Sequence, residues 1–165
     1  MRAQKSGVIA NVGSIAGWRG SSVTGIYSAS KYAVAGISES LRVEVAHLGI
    51  EVTCVDFGAF RTVLFGDNMV GAKTRIADLE SVTAPRWEAL AARSGRQRGD
   101  PAKAAQLLVE ALTKTGRCAG RTLPSRLALG ADAVQGVGAV LENAKRELDE
   151  WSDLTVTTDC DDVAQ

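Results

Sequence analysis

Tyr27 and Lys31 stand four residues apart in the stretch Tyr-Ser-Ala-Ser-Lys, and Ser14 lies thirteen residues before the tyrosine. On a helix, positions i and i+4 lie one above the other on the same face, so a phenol and an ammonium at this spacing share one small site. A phenol is a poor acid or base near neutral pH, because little of it is ionised. A cation about 5 Å away, at an effective dielectric of about 20, favours the phenolate by roughly 3 kcal/mol. A second positive charge would add to that. Ser14 contributes a hydroxyl able to hold a carbonyl or alcohol oxygen in place.

The elements around these residues read as α/β. An apolar run, Val8 to Val12, predicts a strand that leads into Gly13-Ser14 and a Gly-rich turn. From Tyr27 to about His47 the pattern is helical, with Ala29, Ala33, Gly36, Ile37, Leu41 and Val45 on one stripe. The small residues at 29, 33 and 36 predict close packing against a sheet or a partner helix, and Gly49 stops the helix. Ile50 to Val55 reads as a buried parallel strand, which makes strand, helix and strand one right-handed crossover unit. Residues 59–99 show no strong periodicity and are expected to be an irregular, functional or mobile insertion.

Asp100-Pro101 signals a helix start, with Asp as N-cap and Pro at the first helical position. Ala104, Ala105, Leu107, Leu108, Ala111 and Leu112 are its expected buried face. Ser125 to Leu129 reads as a short last strand. A final helix follows with Val134, Val137, Leu141, Ala144 and Leu148 at heptad-like spacing, and a frayed tail is expected after Trp151.

Composition narrows the classes. Nineteen basic and nineteen acidic residues cancel, so no nucleic-acid or membrane-surface partner is implied. No eighteen-residue apolar run predicts a membrane span, and no charged-then-apolar leader a secretory signal. Cys54, Cys118 and Cys160 are too scattered for a metal site and read as reduced thiols of a cytoplasmic protein. His47 is the only histidine, which argues against a His base, and no Gly-x-Ser-x-Gly elbow supports a serine hydrolase. Gly13, Gly17 and Gly20 follow a strand but do not open a helix at once, so they read as turn residues beside a ligand and not as a dinucleotide fingerprint.

The framing of strand, Ser14, a thirteen-residue step to Tyr27 and Lys31 four further on resembles the active-site segment of the short-chain dehydrogenase/reductase family. Val55-Asp56-Phe57-Gly58-Ala59-Phe60-Arg61-Thr62 is similar to that family's Pro-Gly-x-x-x-Thr segment, with Phe57 in place of the proline and Gly13 where a serine is common. The proline's loss is expected to loosen the turn that presents Thr62. The resemblance implies the C-terminal part of a doubly wound Rossmann-type parallel sheet of about three strands, in a partial domain over 1–151 with a tail over 152–165. It places the first half of the domain, with the phosphate-binding turn, upstream of Met1.

It further implies NAD(P)-dependent hydride transfer between a secondary alcohol and a ketone, NAD or NADP being unreadable here. Tyr27 would be the general acid/base, and Ser14 would orient the substrate oxygen. Lys31 would hold the nicotinamide ribose and favour the Tyr27 phenolate, which a positively charged nicotinamide ring would also favour. Thr62 would reach the carboxamide, with Gly58 letting the backbone approach the ring. Residues 59–99 would cover the substrate, and the helices from Tyr27 and Pro101 would build a homodimer or homotetramer. The alternative is a non-catalytic remnant, an oligomerising or binding half-domain. Without a phosphate-binding turn and with Val8 to Val12 as a sheet edge, the 165-residue chain is expected to bind NAD(P) weakly and to be poorly soluble.

Overall fold

Strands β1 (Gly7–Val12), β2 (Ile50–Phe57) and β3 (Arg126–Leu129) form one parallel sheet in the order β1-β2-β3. The register sets Ala10 beside Thr53, Val12 beside Val55, and Phe57 beside Leu129. This is a computed structural model, and it describes residues 1–65 and 68–160. Asp161 and Asp162 of the expected tail, and Gly66 and Asp67 of the expected loop, lie outside the described residues.

Successive strand residues point to opposite faces. On one face Ala10, Val55, Phe57 and Leu129 pack with Ala104, Leu107 and Leu108 of α3 (Pro101–Thr113). Asp100 caps this helix as its spacing predicts, accepting from the Ala102 and Lys103 amides at 2.9 and 3.3 Å. Ala105, expected on the buried face, is exposed.

The other face meets α1 (Gly25–Val45), which ends through a short 3-10 turn at Gly49, a left-handed residue with φ 66°. The buried side of α1 is not the stripe of Ala29, Ala33, Gly36 and Ile37, all of which are exposed. It is Ser28, Ala35 and Ser38. Small side chains let helix and strands approach, and the hydroxyl of Ser38 is satisfied twice. It donates to the Val34 carbonyl at 2.6 Å and accepts from Asn11 Nδ2 at 2.9 Å. Counting apolar residues misses such a face, because serine scores as polar.

The region 59–99 holds a helix that periodicity did not predict, α2 (Glu80–Ala91). Pro85 lies inside it and removes one helical donor, and no regular apolar stripe marks it. Helix α4 (Ala131–Thr155) runs through Trp151 and is followed by a 3-10 turn to Thr158, beyond the point where fraying was expected. No helix among the described residues is long and apolar enough to cross a membrane.

Candidate active site

The site begins where β1 ends. Lys31, on the second turn of α1, reaches back to donate from Nζ to the Val12 carbonyl at 2.9 Å. In that position Nζ lies 5.7 Å from the centre of the Tyr27 ring. One ammonium therefore faces the phenol ring and the end of β1 together. Tyr27 is 48% exposed.

Ser14 follows Val12 by two residues and is buried, at 7% exposure. It is the N-cap of a short 3-10 turn, Ile15–Gly17, its Oγ accepting from the Ala16 amide at 3.1 Å. The Ser14 carbonyl accepts from the Gly17 amide at 2.8 Å. Because Oγ acts as acceptor within the turn, its hydrogen is free to be donated outward.

Beneath this turn lies a group that the sequence reading passed over. Asp56, on β2, is fully buried. Its Oδ2 accepts from Trp18 Nε1 and from Arg126 Nε, both at 2.8 Å. The Arg126 guanidinium stacks 3.8 Å from the centre of the Trp18 ring and donates a further bond to the Gly17 carbonyl at 3.1 Å. Cys54 Sγ lies 3.5 Å from Asp56 Oδ1, and burial first, then the neighbouring Asp56 carboxylate, pushes the Cys54 thiol above its ordinary value. A carboxylate between Val55 and Phe57 in a largely apolar strand was the available signal, since buried charges need partners.

Gly13 and Gly17 take their reason from this packing. A Cβ on Gly13 would run into Asp56 Oδ1 and come within 2.5 Å of Cys54 Sγ. One on Gly17 would sit 2.8 Å from the Lys31 carbonyl oxygen. Close internal contact by itself accounts for Gly13 and Gly17, while Gly20 faces open space.

The segment after β2 is arranged differently. The Gly58 amide donates to the Leu129 carbonyl at 2.9 Å, and the Ala59 amide donates to Asp132 Oδ2 at 2.8 Å. The Asp132 carboxylate fills the space that a side chain on Gly58 would need, so an internal contact already requires glycine there. Phe57 meets Phe60 edge to face at 5.8 Å, and Arg61 is fixed by its amide to the Gly99 carbonyl and by its guanidinium to the Gln97 carbonyl. The turn is therefore tied as far as Arg61 without the proline. Thr62 comes next and is exposed.

The family model described as short chain dehydrogenase matches residues 1–70. The oxidoreductase BOA17 of Botryotinia fuckeliana is 30% identical over 158 residues, covering 96% of this chain and 55% of the relative. A short-chain dehydrogenase structure from Streptomyces avermitilis is 34% identical with a TM-score of 0.75, covering 96% of this chain and 54% of that one.

The chain belongs to the short-chain dehydrogenase/reductase family. It spans about half the length of the relatives it matches. A structure of ElxO with NADP bound shares the fold at 18% identity, with a TM-score of 0.53, covering 82% of this chain and 49% of that one. The family's open α/β sheet is present as three parallel strands with helices packed on both faces.

Proposed function

We propose that this short-chain dehydrogenase chain is part of an NAD(P)-dependent oxidoreductase, moving a hydride between a nicotinamide cofactor and a secondary alcohol or ketone. The observation that carries the reading is the shared site of Tyr27 and Lys31 at the carboxyl end of β1. Ligands of open α/β sheets bind outside the carboxyl ends of the strands. The donors fit the nicotinamide and ribose end of a dinucleotide. Lys31 keeps two N–H bonds beyond the one given to Val12, and Ser14 keeps its hydroxyl hydrogen. Gly13 and Gly17 are occupied by internal contacts and build no phosphate cradle. That part of the site belongs to the half of the relatives that this chain does not span.

A nicotinamide cofactor, when bound, would accept the hydrogen on the alcohol carbon as hydride, leaving the carbonyl, or supply it in reverse, and in its oxidised form would carry a positive charge. In the oxidising direction the Tyr27 phenolate takes the alcohol proton. Ser14 donates to that same oxygen and fixes its direction. Lys31 would favour the phenolate and hold ribose hydroxyls, and Thr62 would reach the nicotinamide carboxamide, while Gly58 is already engaged by Leu129 and Asp132.

Residues 59–99 cover the substrate in this reading; an open groove of about 650 Å³ lies mostly within them, lined in part by Val23, Val70, Ile76, Leu79 and Trp87, and its lining includes neither Ser14, Tyr27 nor Lys31. Its free, scattered cysteines suit a cytoplasmic protein. The exposed face of Ala29, Ala33, Gly36 and Ile37 on α1, with Val109 on α3, is the surface for a homodimer or homotetramer.

The test is Tyr27→Phe in this chain preceded by the upstream half of a relative. Removing a general acid/base lowers turnover by about 10²- to 10⁴-fold. Equal turnover in the two proteins overturns the assignment. In calorimetry the 165-residue chain alone should bind either cofactor no better than about millimolar, because a few hydrogen bonds worth roughly 1 kcal/mol each barely offset the cost of association.

A further inference from the structure

We infer that Asp56, through Trp18 and Arg126, is a positioning residue for Ser14, clamping the turn after β1 from below so that the Ser14 hydroxyl has one fixed place. The inference gives this device a catalytic meaning only through the role proposed for Ser14. The geometry holds independently of that role.

The grip falls on both sides of the serine. Before it, the Gly13 amide donates to the Val55 carbonyl at 2.9 Å, and the bare α-carbon of Gly13 rests on Asp56 Oδ1 and Cys54 Sγ. After it, Arg126 holds the Gly17 carbonyl and Asp56 holds the Trp18 indole. Between these anchors the Ser14 carbonyl and Oγ are both engaged within the turn. The free coordinate left to Ser14 is rotation of its hydroxyl hydrogen. Asp56 is itself fully buried and covered by the turn, which suits a tie and not a proton carrier.

Each residue type matches its task. An indole offers both a broad face for the guanidinium and an N–H for the carboxylate. Only an arginine fork reaches the Asp56 oxygen and the Gly17 carbonyl while lying flat on the ring. Trp18 is 38 residues and Arg126 is 70 residues from Asp56, so the clamp joins the β1–α1 turn, β2 and β3 at one point.

The experiment is hydrogen exchange by mass spectrometry on the 165-residue chain, comparing wild type with Trp18→Phe and Arg126→Lys. The first variant keeps the stacked ring and loses the indole N–H. The second keeps the charge and loses the fork. Both should speed exchange in peptides covering residues 13–18 by about tenfold, through local opening of the turn. Peptides covering β2, where the Cys54 amide is bonded to the Ser125 carbonyl, should stay at the wild-type rate. A purely structural role would instead raise exchange across the sheet and the turn alike, and that outcome, or unchanged exchange at 13–18, overturns the inference. Asp56→Asn is a third arm in which the same local pattern is expected. If it fails to fold, the two conservative variants still decide. No cofactor or turnover enters the measurement, so failure of the oxidoreductase reading leaves it intact.

Discussion

Ser14 and Thr62 both follow the carboxyl end of a parallel strand, β1 and β2, yet they are held in opposite ways. The Ser14 turn sits on a buried ion pair, with tight glycine contacts at Gly13 and Gly17. The Thr62 segment is tied through Gly58, Ala59 and Arg61, and then the chain is exposed. A group placed in advance costs little to order when a ligand arrives, whereas an exposed one must be ordered by the ligand itself. In the proposed chemistry this divides the labour: Ser14 is preorganised, and Thr62 would be ordered by the ligand.

The largest effect that would break this contrast is steric. Gly13→Ala forces a Cβ against the side-chain tips of Asp56 and Cys54, which their buried hydrogen bonds hold in place. Overpacking of this kind costs typically 1–3 kcal/mol, and about 3 kcal/mol is expected here because a buried charge moves as well. Urea denaturation reads it, and a change below about 1 kcal/mol would mean the turn is looser than its contacts imply.

A chemical probe sharpens the same side. Cys54 is buried behind the turn, with its thiol raised by burial and by Asp56. Since the thiolate is the reactive form, Cys54 should resist alkylation at pH 8 while exposed Cys160 reacts. Modification of Cys54 at the rate of Cys160, read by peptide mass, would show that the turn opens freely.

The opposite side should be nearly silent. Thr62→Ala is expected to change stability by less than about 0.5 kcal/mol, as exposed positions do. A loss above about 1 kcal/mol would reveal a tie at Thr62 and collapse the contrast.

The smallest effect comes from an exposed ion pair. Arg117 donates to Glu110 from Nε at 2.7 Å, and these hydrogen bonds hold the Glu110 carboxyl below its ordinary value. A carboxyl lowered on folding contributes stability that is present above its unfolded value and is lost as pH falls through the lowered folded value. Glu110→Gln should therefore be slightly less stable than wild type at pH 7, with the difference shrinking below about pH 4.5. Thermal melts at the two pH values check it, and a difference that grows on acidification would reverse the sign.

What the sequence determined by itself was local. The Asp100 cap, the left-handed stop at Gly49 and the positions of the three strands follow from residue types over a few positions, where backbone sterics and capping decide. The four-residue step from Tyr27 to Lys31 is equally local, because the helix repeat alone brings them together. Tertiary structure decided the rest. It turned Ser28, Ala35 and Ser38 of α1 toward the sheet, since close approach of small side chains outweighed apolarity there and Ser38 gained hydrogen bonds. It formed α2 around Pro85 with no periodic stripe to announce it. It also joined Asp56 to Trp18 and Arg126 across three elements. A buried charge shows in sequence only as an oddity within a strand, and its partners are chosen by how the chain packs, which no local propensity encodes.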